Sequence, residues 1–186
     1  MKIYIESLGC AKNQVDSEIL LTYAEENGYE KTDDPASADV IVVNTCGFIE
    51  SAKTESIDTF FSLKEANPNA RIILAGCLAE RYGREMELDE ADAIFGNHDL
   101  SLFPEVLNGT SGRILIPEYP DPDRERDDRK ELLGYKGSAY LKISEGCNHR
   151  CAYCAIPLIR GPLRSRPMDK IIKEAERLIA SGVYEI

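Results

Sequence analysis

The sequence predicts an α/β protein with a doubly wound parallel sheet in its N-terminal part, followed by the first β/α unit of a truncated partial barrel. Apolar runs of strand length alternate with amphipathic helical segments from residue 3 to residue 108. These runs are continuously apolar, as in parallel strands that helices cover on both faces. A charged segment then separates this pattern from one further strand–helix unit.

The strands of the N-terminal part are predicted at residues 3–8, 40–43, 71–75 and 93–95. The first helix is predicted over 14–27, with an apolar stripe of Val15, Ile19, Leu20, Tyr23 and Ala24. A second helix is predicted whose core-facing residues are Ile57, Phe60 and Phe61. A third is predicted over about 78–88, and a last helical stretch should end at Asn108 and Gly109.

The expected domains are residues 1–116, a charged linker over 117–137, and the start of a second domain over 138–186. The linker is indicated by two prolines and a charged run over 121–131. Beyond it we predict a strand at 139–143 and a helix at 168–180 that buries Ile171, Ile172, Ala175, Leu178 and Ile179. A further strand should begin at 182–186. One β/α unit cannot close a barrel, so we expect a piece of a longer protein.

Composition narrows the classes of function. The chain has 186 residues, 43% of them hydrophobic, and a formal charge of −11. That charge repels phosphate backbones, so nucleic acid is an unlikely ligand of this part and a basic protein partner suits it better, although acidity can serve solubility alone. No apolar run reaches the roughly 18 residues of a membrane span, and no signal peptide is present. A cytoplasmic location, and therefore reduced thiols, is expected for the six cysteines.

Three cysteines lie close together in the second part. Cys147, Cys151 and Cys154 have the spacing C-x3-C-x2-C, which lets three thiolates bind three irons of a [4Fe–4S] cluster and leaves one iron open for a small molecule. The alternative is a zinc site with His149 as the fourth ligand, but zinc ligands usually come in two separated pairs.

The other three cysteines are far apart in sequence, yet Cys10, Cys46 and Cys77 each follow a predicted strand. The carboxyl ends of parallel strands share one edge of a sheet, which is where open α/β folds bind ligands. Each cysteine adjoins a glycine, which lets the backbone turn sharply beside a bulky cofactor. A second cluster is therefore predicted here, the alternative being three small buried side chains.

The motif C-x3-C-x-aromatic-C after a strand resembles that of radical S-adenosylmethionine (SAM) enzymes, and this resemblance covers residues 138–186. It implies that Cys147, Cys151 and Cys154 hold the cluster that cleaves SAM. It also implies that Tyr153 lies beside the SAM adenine.

The segments SLGCAKNQVDSE at 7–18, NTCG at 44–47 and AGC at 75–77 resemble the N-terminal domain of the radical SAM methylthiotransferase family. The resemblance implies that Cys10, Cys46 and Cys77 hold an auxiliary [4Fe–4S] cluster that carries the sulfur to be transferred. It implies two SAM molecules, one donating a methyl group and one cleaved to a radical that removes hydrogen from carbon. No acid–base residue is assigned, and an electron donor protein and a sulfur donor are expected partners.

Two branches of that family differ in substrate. The segment at 7–18 and the segment KISEGCNHRC at 142–151 resemble the branch that modifies the β-carbon of an aspartate in small-subunit ribosomal protein twelve. The rival branch modifies an adenosine of tRNA, and a non-catalytic cluster-binding module is the alternative from another class. Taken alone, this piece is expected to be inactive. Four arginines beside the second cysteine group are expected either to bind carboxylates or to form a solvated face: Arg150, Arg160, Arg164 and Arg166.

Overall fold

A computed structural model describes residues 1–118, 126 and 128–186. Its main element is a six-stranded parallel sheet with the strand order β2-β1-β3-β4-β5-β6. The strands are β1 (Lys2–Ser7), β2 (Glu30–Lys31), β3 (Val40–Thr45), β4 (Arg71–Gly76), β5 (Ala93–Phe95) and β6 (Ile114–Leu115). The predicted parallel sheet is confirmed, and the short edge strands β2 and β6 are additions to it.

The chain runs from β1 to β2 on one side and then crosses to β3 on the other side of β1. This reversal makes the carboxyl ends of β1 and β3 the switch point at which open α/β sheets leave a crevice. The register pairs Ser7 with Asn44 and Thr45 with Gly76. The loops after β1, β3 and β4 therefore start side by side.

Helices cover both faces of the sheet, so the doubly wound arrangement is confirmed. The helices of the N-terminal part are α1 (Ala11–Glu26), α2 (Glu50–Ala66), α3 (Cys77–Tyr82) and α4 (Phe103–Leu107). One core lies between the sheet and helices α1 and α4, where Leu20 and Phe103 pack against Val42 and Ile73. The other lies beneath α2 and α3, around Phe60.

Three helical predictions need correction. Helix α1 begins at Ala11, three residues earlier than predicted, because Cys10 is its N-cap. Helix α3 ends at Tyr82 rather than near residue 88, since the chain turns at Gly83, where a Cβ would lie 2.4 Å from the Ala79 carbonyl oxygen. Phe61 is 41% exposed instead of buried. It lies about 100° around the helix from Phe60 and packs edge-on against that ring.

The second part has three short elements before its main helix. Strands β7 (Ser144–Glu145) and β8 (Arg164–Ser165) form an antiparallel pair, and α5 (Ile156–Ile159) lies between them. The strand predicted at 139–143 is wrong. Two carbonyl groups of this segment accept hydrogen bonds from arginine side chains: Tyr140 from Arg129, and Lys142 from Arg166.

Helix α6 (Met168–Ala180) forms where it was predicted, but with a different buried face. Leu178 packs against Ala139 and Val183, whereas Ile172 and Ile179 are exposed. Glu174 is buried in their place because Arg129 and Arg166 pair with its carboxylate. The expected strand at 182–186 contributes a single parallel bridge, from Glu185 to Ser138.

Part of the predicted linker, residues 119–125 and 127, lies outside the described residues. The following segment crosses helix α1. Arg126 pairs with Glu26 and lies over the Tyr23 ring, and Leu133 packs against the core beside α1. Across the ranges 1–118, 126 and 128–186, no helix is long and apolar enough to cross a bilayer.

Candidate metal centre

The three loops that carry Cys10, Cys46 and Cys77 leave the sheet at one edge. Cys10 follows β1 and caps α1, Cys46 follows β3, and Cys77 is the first residue of α3 after β4. Because these strands are neighbours in register, the structure brings the three loops together as the sequence predicts. The order of the parallel strands is sufficient to bring these three loops together.

The glycine beside each cysteine permits close contact between the loops. A Cβ built on Gly9 would lie 2.9 Å from the Cys46 Cβ, and one on Gly47 would lie 2.9 Å from the backbone of Leu78. Gly76 has a φ of +90°, and a Cβ there would lie 2.2 Å from the Asn44 side chain. The loop after β1 thus touches the loop after β3, which in turn touches the start of α3.

Asn13 connects the three loops by hydrogen bonds. Its amide nitrogen donates to the carbonyl oxygens of Leu8 and Thr45, at 2.9 and 2.8 Å. Its amide oxygen accepts from the Cys77 thiol at 3.1 Å. Asn13 is only 1% exposed. Its contact with Cys77 gives this residue a supporting role beside the cysteines.

The three thiols differ in their surroundings. Cys10 is exposed, Cys46 half-buried and Cys77 buried. Burial raises the pKa of the Cys77 thiol to about 11, although the nearby Arg160 guanidinium opposes this shift. A thiolate at Cys77 is therefore unfavourable even beside Arg160, unless a metal binds the sulfur.

Within the described part of the chain, no three Cys, His, Asp or Glu side chains stand close enough to hold a single metal ion. A cubane cluster is larger, since each thiolate binds a different iron. Three loops in mutual contact, glycines that remove Cβ atoms between them, and soft thiol donors at a sheet edge fit a group of this kind. The residues predicted to bind the auxiliary cluster are thus compatible with it.

The loop with Cys147, Cys151 and Cys154 is held by its own backbone. The Cys147 amide donates to the Gly161 carbonyl at 3.1 Å, and the Cys154 amide donates to the Cys151 carbonyl at 3.0 Å. Gly146 adopts a φ of +75° beside Pro162, whose carbonyl oxygen would lie 2.1 Å from a Cβ there. The first bond ties the start of this loop to residue 161, and the second closes a turn from Cys151 to Cys154.

Two further predicted residues of this loop point to solvent. Tyr153, expected beside the SAM adenine, is 89% exposed. An aromatic side chain this open in the free chain is available to a ligand. His149 is also exposed, in keeping with its interpretation as a loop residue.

The two cysteine groups lie next to each other. Ala155, which directly follows Cys154, forms a buried apolar cluster with Ile159 and Cys77. Helix α5 therefore packs on α3 at the point where the auxiliary thiols are predicted to bind iron. The sequence located both groups but gave no sign that they adjoin.

The four arginines differ in their surroundings. Arg160 and Arg166 are buried and pair with Asp16 and Glu174, so these two do bind carboxylates, but those of this chain. Arg164 donates to the carbonyl oxygens of Arg160 and Pro162, both at 3.3 Å. Arg150 is exposed. The solvated-face interpretation thus suits Arg150 alone.

A network of buried charges joins the two parts of the chain beside the cysteines. Arg160 and Lys142 both pair with Asp16 and with Glu145. Burial tends to raise the pKa of Glu145, but the charges of Lys142, Arg160 and Lys12 lower it to about 2. Burial lowers the pKa of Lys142, but Asp16 and Glu145 raise it above its ordinary value. Glu145, Lys142 and Arg160 are therefore charged at neutral pH.

Sequence reasoning missed the buried roles of Asp16, Glu145 and Glu80. Glu80 accepts a hydrogen bond from the Asn97 amide at 2.9 Å and lies 3.3 Å from the His98 ring. Asp16 lies six residues after Cys10, and of its two partners only Arg160 was considered for carboxylate binding from the sequence. His98 is held by Glu80 and by the Glu118 carbonyl.

Comparison with known proteins agrees with this geometry. The model of the uncharacterized protein family UPF0004 matches residues 2–96, which contain the sheet edge with Cys10, Cys46 and Cys77. The chain belongs to the UPF0004 family. The radical SAM superfamily model matches residues 141–186 of this UPF0004 chain, which contain the second cysteine group.

Curated relatives match the UPF0004 chain along its length, and three of them are named ribosomal protein uS12 methylthiotransferase RimO. The one from Treponema denticola is 44% identical over 95% of this chain and 40% of its own length. Those from Sorangium cellulosum and Moorella thermoacetica are 44% and 42% identical over 100% of this chain, and over 39% and 44% of their own lengths. The predicted resemblance to methylthiotransferases of the ribosomal-protein branch is confirmed. The chain spans about two fifths of these relatives.

Proposed function

We propose that the chain is the cluster-binding N-terminal part of a radical SAM methylthiotransferase that acts on an aspartate of small-subunit ribosomal protein uS12. One observation carries the proposal: the loop with Cys147, Cys151 and Cys154 packs beside the sheet edge that brings the loops of Cys10, Cys46 and Cys77 together. The similarity to RimO proteins supports the substrate assignment.

In this proposal Cys10, Cys46 and Cys77 hold the auxiliary cluster, and Cys147, Cys151 and Cys154 hold the radical SAM cluster. The clusters would supply sulfur for transfer and electrons for SAM cleavage. The protein's own residues fix the relative positions of the two sites. Helix α5 does so by packing Ala155 and Ile159 against Cys77, and Arg160 does so by its ion pair with Asp16.

The proximity of the two groups suits a reaction with two cofactor sites. A carbon activated at one site must meet a sulfur held at the other, so the sites must face a common space. Tyr153 is proposed to contact the SAM adenine, since its ring is exposed on the same loop as Cys151 and Cys154. An exposed arginine of this loop, Arg150, is available to a carboxylate of SAM or substrate.

The acidic balance of the chain favours a basic protein as substrate over tRNA, since a charge of −11 repels a phosphate backbone. A cytoplasmic location, an electron donor protein and a sulfur donor belong to the same proposal. The tRNA methylthiotransferase and a cluster-binding module without activity are the rival functions. This part of the chain by itself is proposed to lack activity.

Counting clusters tests the ligand assignment. Iron and sulfide analysis of the anaerobically reconstituted full-length protein should give about eight irons per chain, which is two cubanes. Cys147, Cys151 and Cys154 changed together to Ala should leave about four irons and abolish SAM cleavage. The matched variant, with Cys10, Cys46 and Cys77 changed to Ala, should also keep about four. Loss of all iron in either variant would contradict two independent sites.

Product analysis tests the substrate. The reconstituted full-length protein is incubated with SAM, sulfide and a reductant, with uS12 and unmodified tRNA offered in separate reactions. Mass spectrometry should find one methylthio group on an aspartate of uS12. Modification of tRNA alone would establish the first rival, and modification of neither substrate by a protein that carries both clusters would favour the second.

A further inference from the structure

Arg160 reaches the cysteine of the other part of the chain. Its Nη2 atom lies 3.3 Å from the Cys77 sulfur and 2.6 Å from the Asn13 amide oxygen. Its Nη1 atom lies 2.5 Å from Asp16 Oδ2. The residue is 2% exposed, so these bonds form away from water.

The Arg160 guanidinium is fixed by three partners besides the Cys77 sulfur. Asp16 fixes one nitrogen and Asn13 the other, and Glu145 lies 3.5 Å from Nη1. The planar fork of arginine can meet all these partners at once, whereas the single nitrogen of lysine cannot. One N–H is thereby aimed at the Cys77 sulfur, with a full positive charge behind it.

A sulfur that binds iron carries negative charge, and that charge grows when the cluster accepts an electron. A hydrogen bond or a positive charge near such a sulfur favours the reduced cluster and makes the reduction potential less negative. In a buried site this effect is screened less than at the surface. Arg160 is placed to exert both influences on a single ligand.

We propose that Arg160 is a positioning residue that donates a hydrogen bond to the Cys77 sulfur of the auxiliary cluster and raises the reduction potential of that cluster. This inference rests on the proposed function, since it requires iron at Cys77. Its new content is that the part of the chain with the radical SAM motif sets a property of the cluster held by the N-terminal sheet.

The test isolates one cluster. In the full-length protein, Cys147, Cys151 and Cys154 are changed to Ala, so that only the auxiliary cluster is reconstituted. Iron content is measured first, and the potential of the one-electron reduction is then determined by a redox titration followed by electron paramagnetic resonance. Arg160→Gln removes the charge, and Arg160→Lys keeps the charge but loses the fork.

A matched control is available in Arg129, whose side chain is 1% exposed and joins the same two parts of the chain through Glu18 and Glu174. Within the described residues, the Arg129 guanidinium bonds to Glu18, Glu174 and the Tyr140 carbonyl, and to no sulfur. Arg129→Gln and Arg129→Lys therefore remove buried ion pairs of the same kind without removing a donor to Cys77. They report what a purely structural loss does to the cluster.

The Arg160→Gln potential should be more negative than that of the parent, with Arg160→Lys shifted in the same direction by less. Both Arg129 variants should keep the parental potential. Should Arg160→Gln fail to retain iron, the titration of Arg160→Lys decides. Parental potentials in the Arg160 variants that retain iron would overturn the inference alone. A parent without about four irons per chain would instead overturn the proposed function.

Discussion

Lys142 Nζ lies 3.0 Å from Asp16 Oδ1, although 126 residues separate them in the sequence. Their side chains are 12% and 2% exposed. Asp16 also binds Arg160, so one carboxylate of helix α1 faces two cations from the second part of the chain. The interface between the two parts is thus a buried ionic network next to the cysteines.

Replacing Asp16 should be costly. Asp16→Asn keeps the shape but leaves Arg160 and Lys142 buried with less compensating charge, and breaking a buried pair in this way costs about 3–5 kcal/mol. Unfolding in urea measures the loss. The control is Asp33→Asn, because the Asp33 side chain is 90% exposed and its pair with Lys31 should contribute less than about 1 kcal/mol. Equal losses in the two variants would contradict a buried network.

Gly76→Ala should destabilise the chain much more than Gly109→Ala. Both glycines have positive φ, +90° and +67°, so both substitutions incur a backbone cost of about 1–2 kcal/mol. Only at Gly76 does a Cβ meet other atoms, with the Asn44 side chain at 2.2 Å and the Thr45 carbonyl oxygen at 2.7 Å. We expect a further loss of at least about 1–3 kcal/mol from this overlap. Thermal unfolding of the two variants side by side tests it, and matching midpoints would show that the close packing at Gly76 is absent.

Glu80 should give a pH-dependent stability of a defined sign. Burial raises the pKa of Glu80 above its ordinary 4.5, although His98 and backbone amides oppose the shift. A raised folded-state pKa means that this contribution to stability is complete below pH 4.5 and is lost as the pH rises through the folded value. Glu80→Gln cannot titrate at this position. As the pH rises from 4.5 towards neutrality, the free energy of unfolding of Glu80→Gln should therefore increase relative to that of the wild type.

Urea unfolding over that pH range measures the difference between Glu80→Gln and wild type. Glu87→Gln serves as the control, because Glu87 is exposed and the substitution removes a carboxyl group without altering a buried site. A difference for Glu80→Gln that is constant with pH would show that this carboxyl group titrates normally.

Gly9→Ala should weaken iron binding at the N-terminal group selectively. Gly9 has a φ of +92°, and a Cβ there would lie 2.9 Å from the Cys46 Cβ and 3.2 Å from its sulfur. The substitution must displace Cys46 from its proposed binding position. With Cys147, Cys151 and Cys154 changed to Ala, iron after reconstitution should fall well below four per chain. Gly28→Ala is the control, since its Cβ would meet nothing within 4 Å. Full iron content in Gly9→Ala would argue against Cys46 as a ligand.

The sheet and its edge could be predicted because they depend on local pattern. Continuous apolar runs gave the strands from Lys2–Ser7 to Ala93–Phe95 within one or two residues. Cysteines placed after three of these strands then had to share an edge, whatever the details of packing. The edge strands Glu30–Lys31 and Ile114–Leu115 were not predicted, because a strand of two residues is too short to show a hydrophobic periodicity.

The second part of the chain was predicted less well, since its conformation depends on distant partners. Residues 139–143 have the composition of a strand, but the carbonyl groups of Tyr140 and Lys142 accept hydrogen bonds from the side chains of Arg129 and Arg166. Glu174 lies on a predicted solvent face of helix α6 and is buried because two arginines meet it there. A sequence shows charges but not which of them will pair across more than a hundred residues.

The Cys77 side chain is buried by a segment that the ribosome synthesises well after Cys77. Ala155 and Ile159 cover its side chain, while the loops that carry Cys10 and Cys46 are complete once β4 has formed. Synthesis proceeds from the N-terminus, and N-terminal domains fold first. If Cys10, Cys46 and Cys77 bind iron as proposed, the nascent chain keeps all three thiols accessible until residues 155–160 have left the ribosome and packed against Cys77. Once that segment has packed, Cys77 is buried, so later insertion of the proposed cluster requires the segment to move.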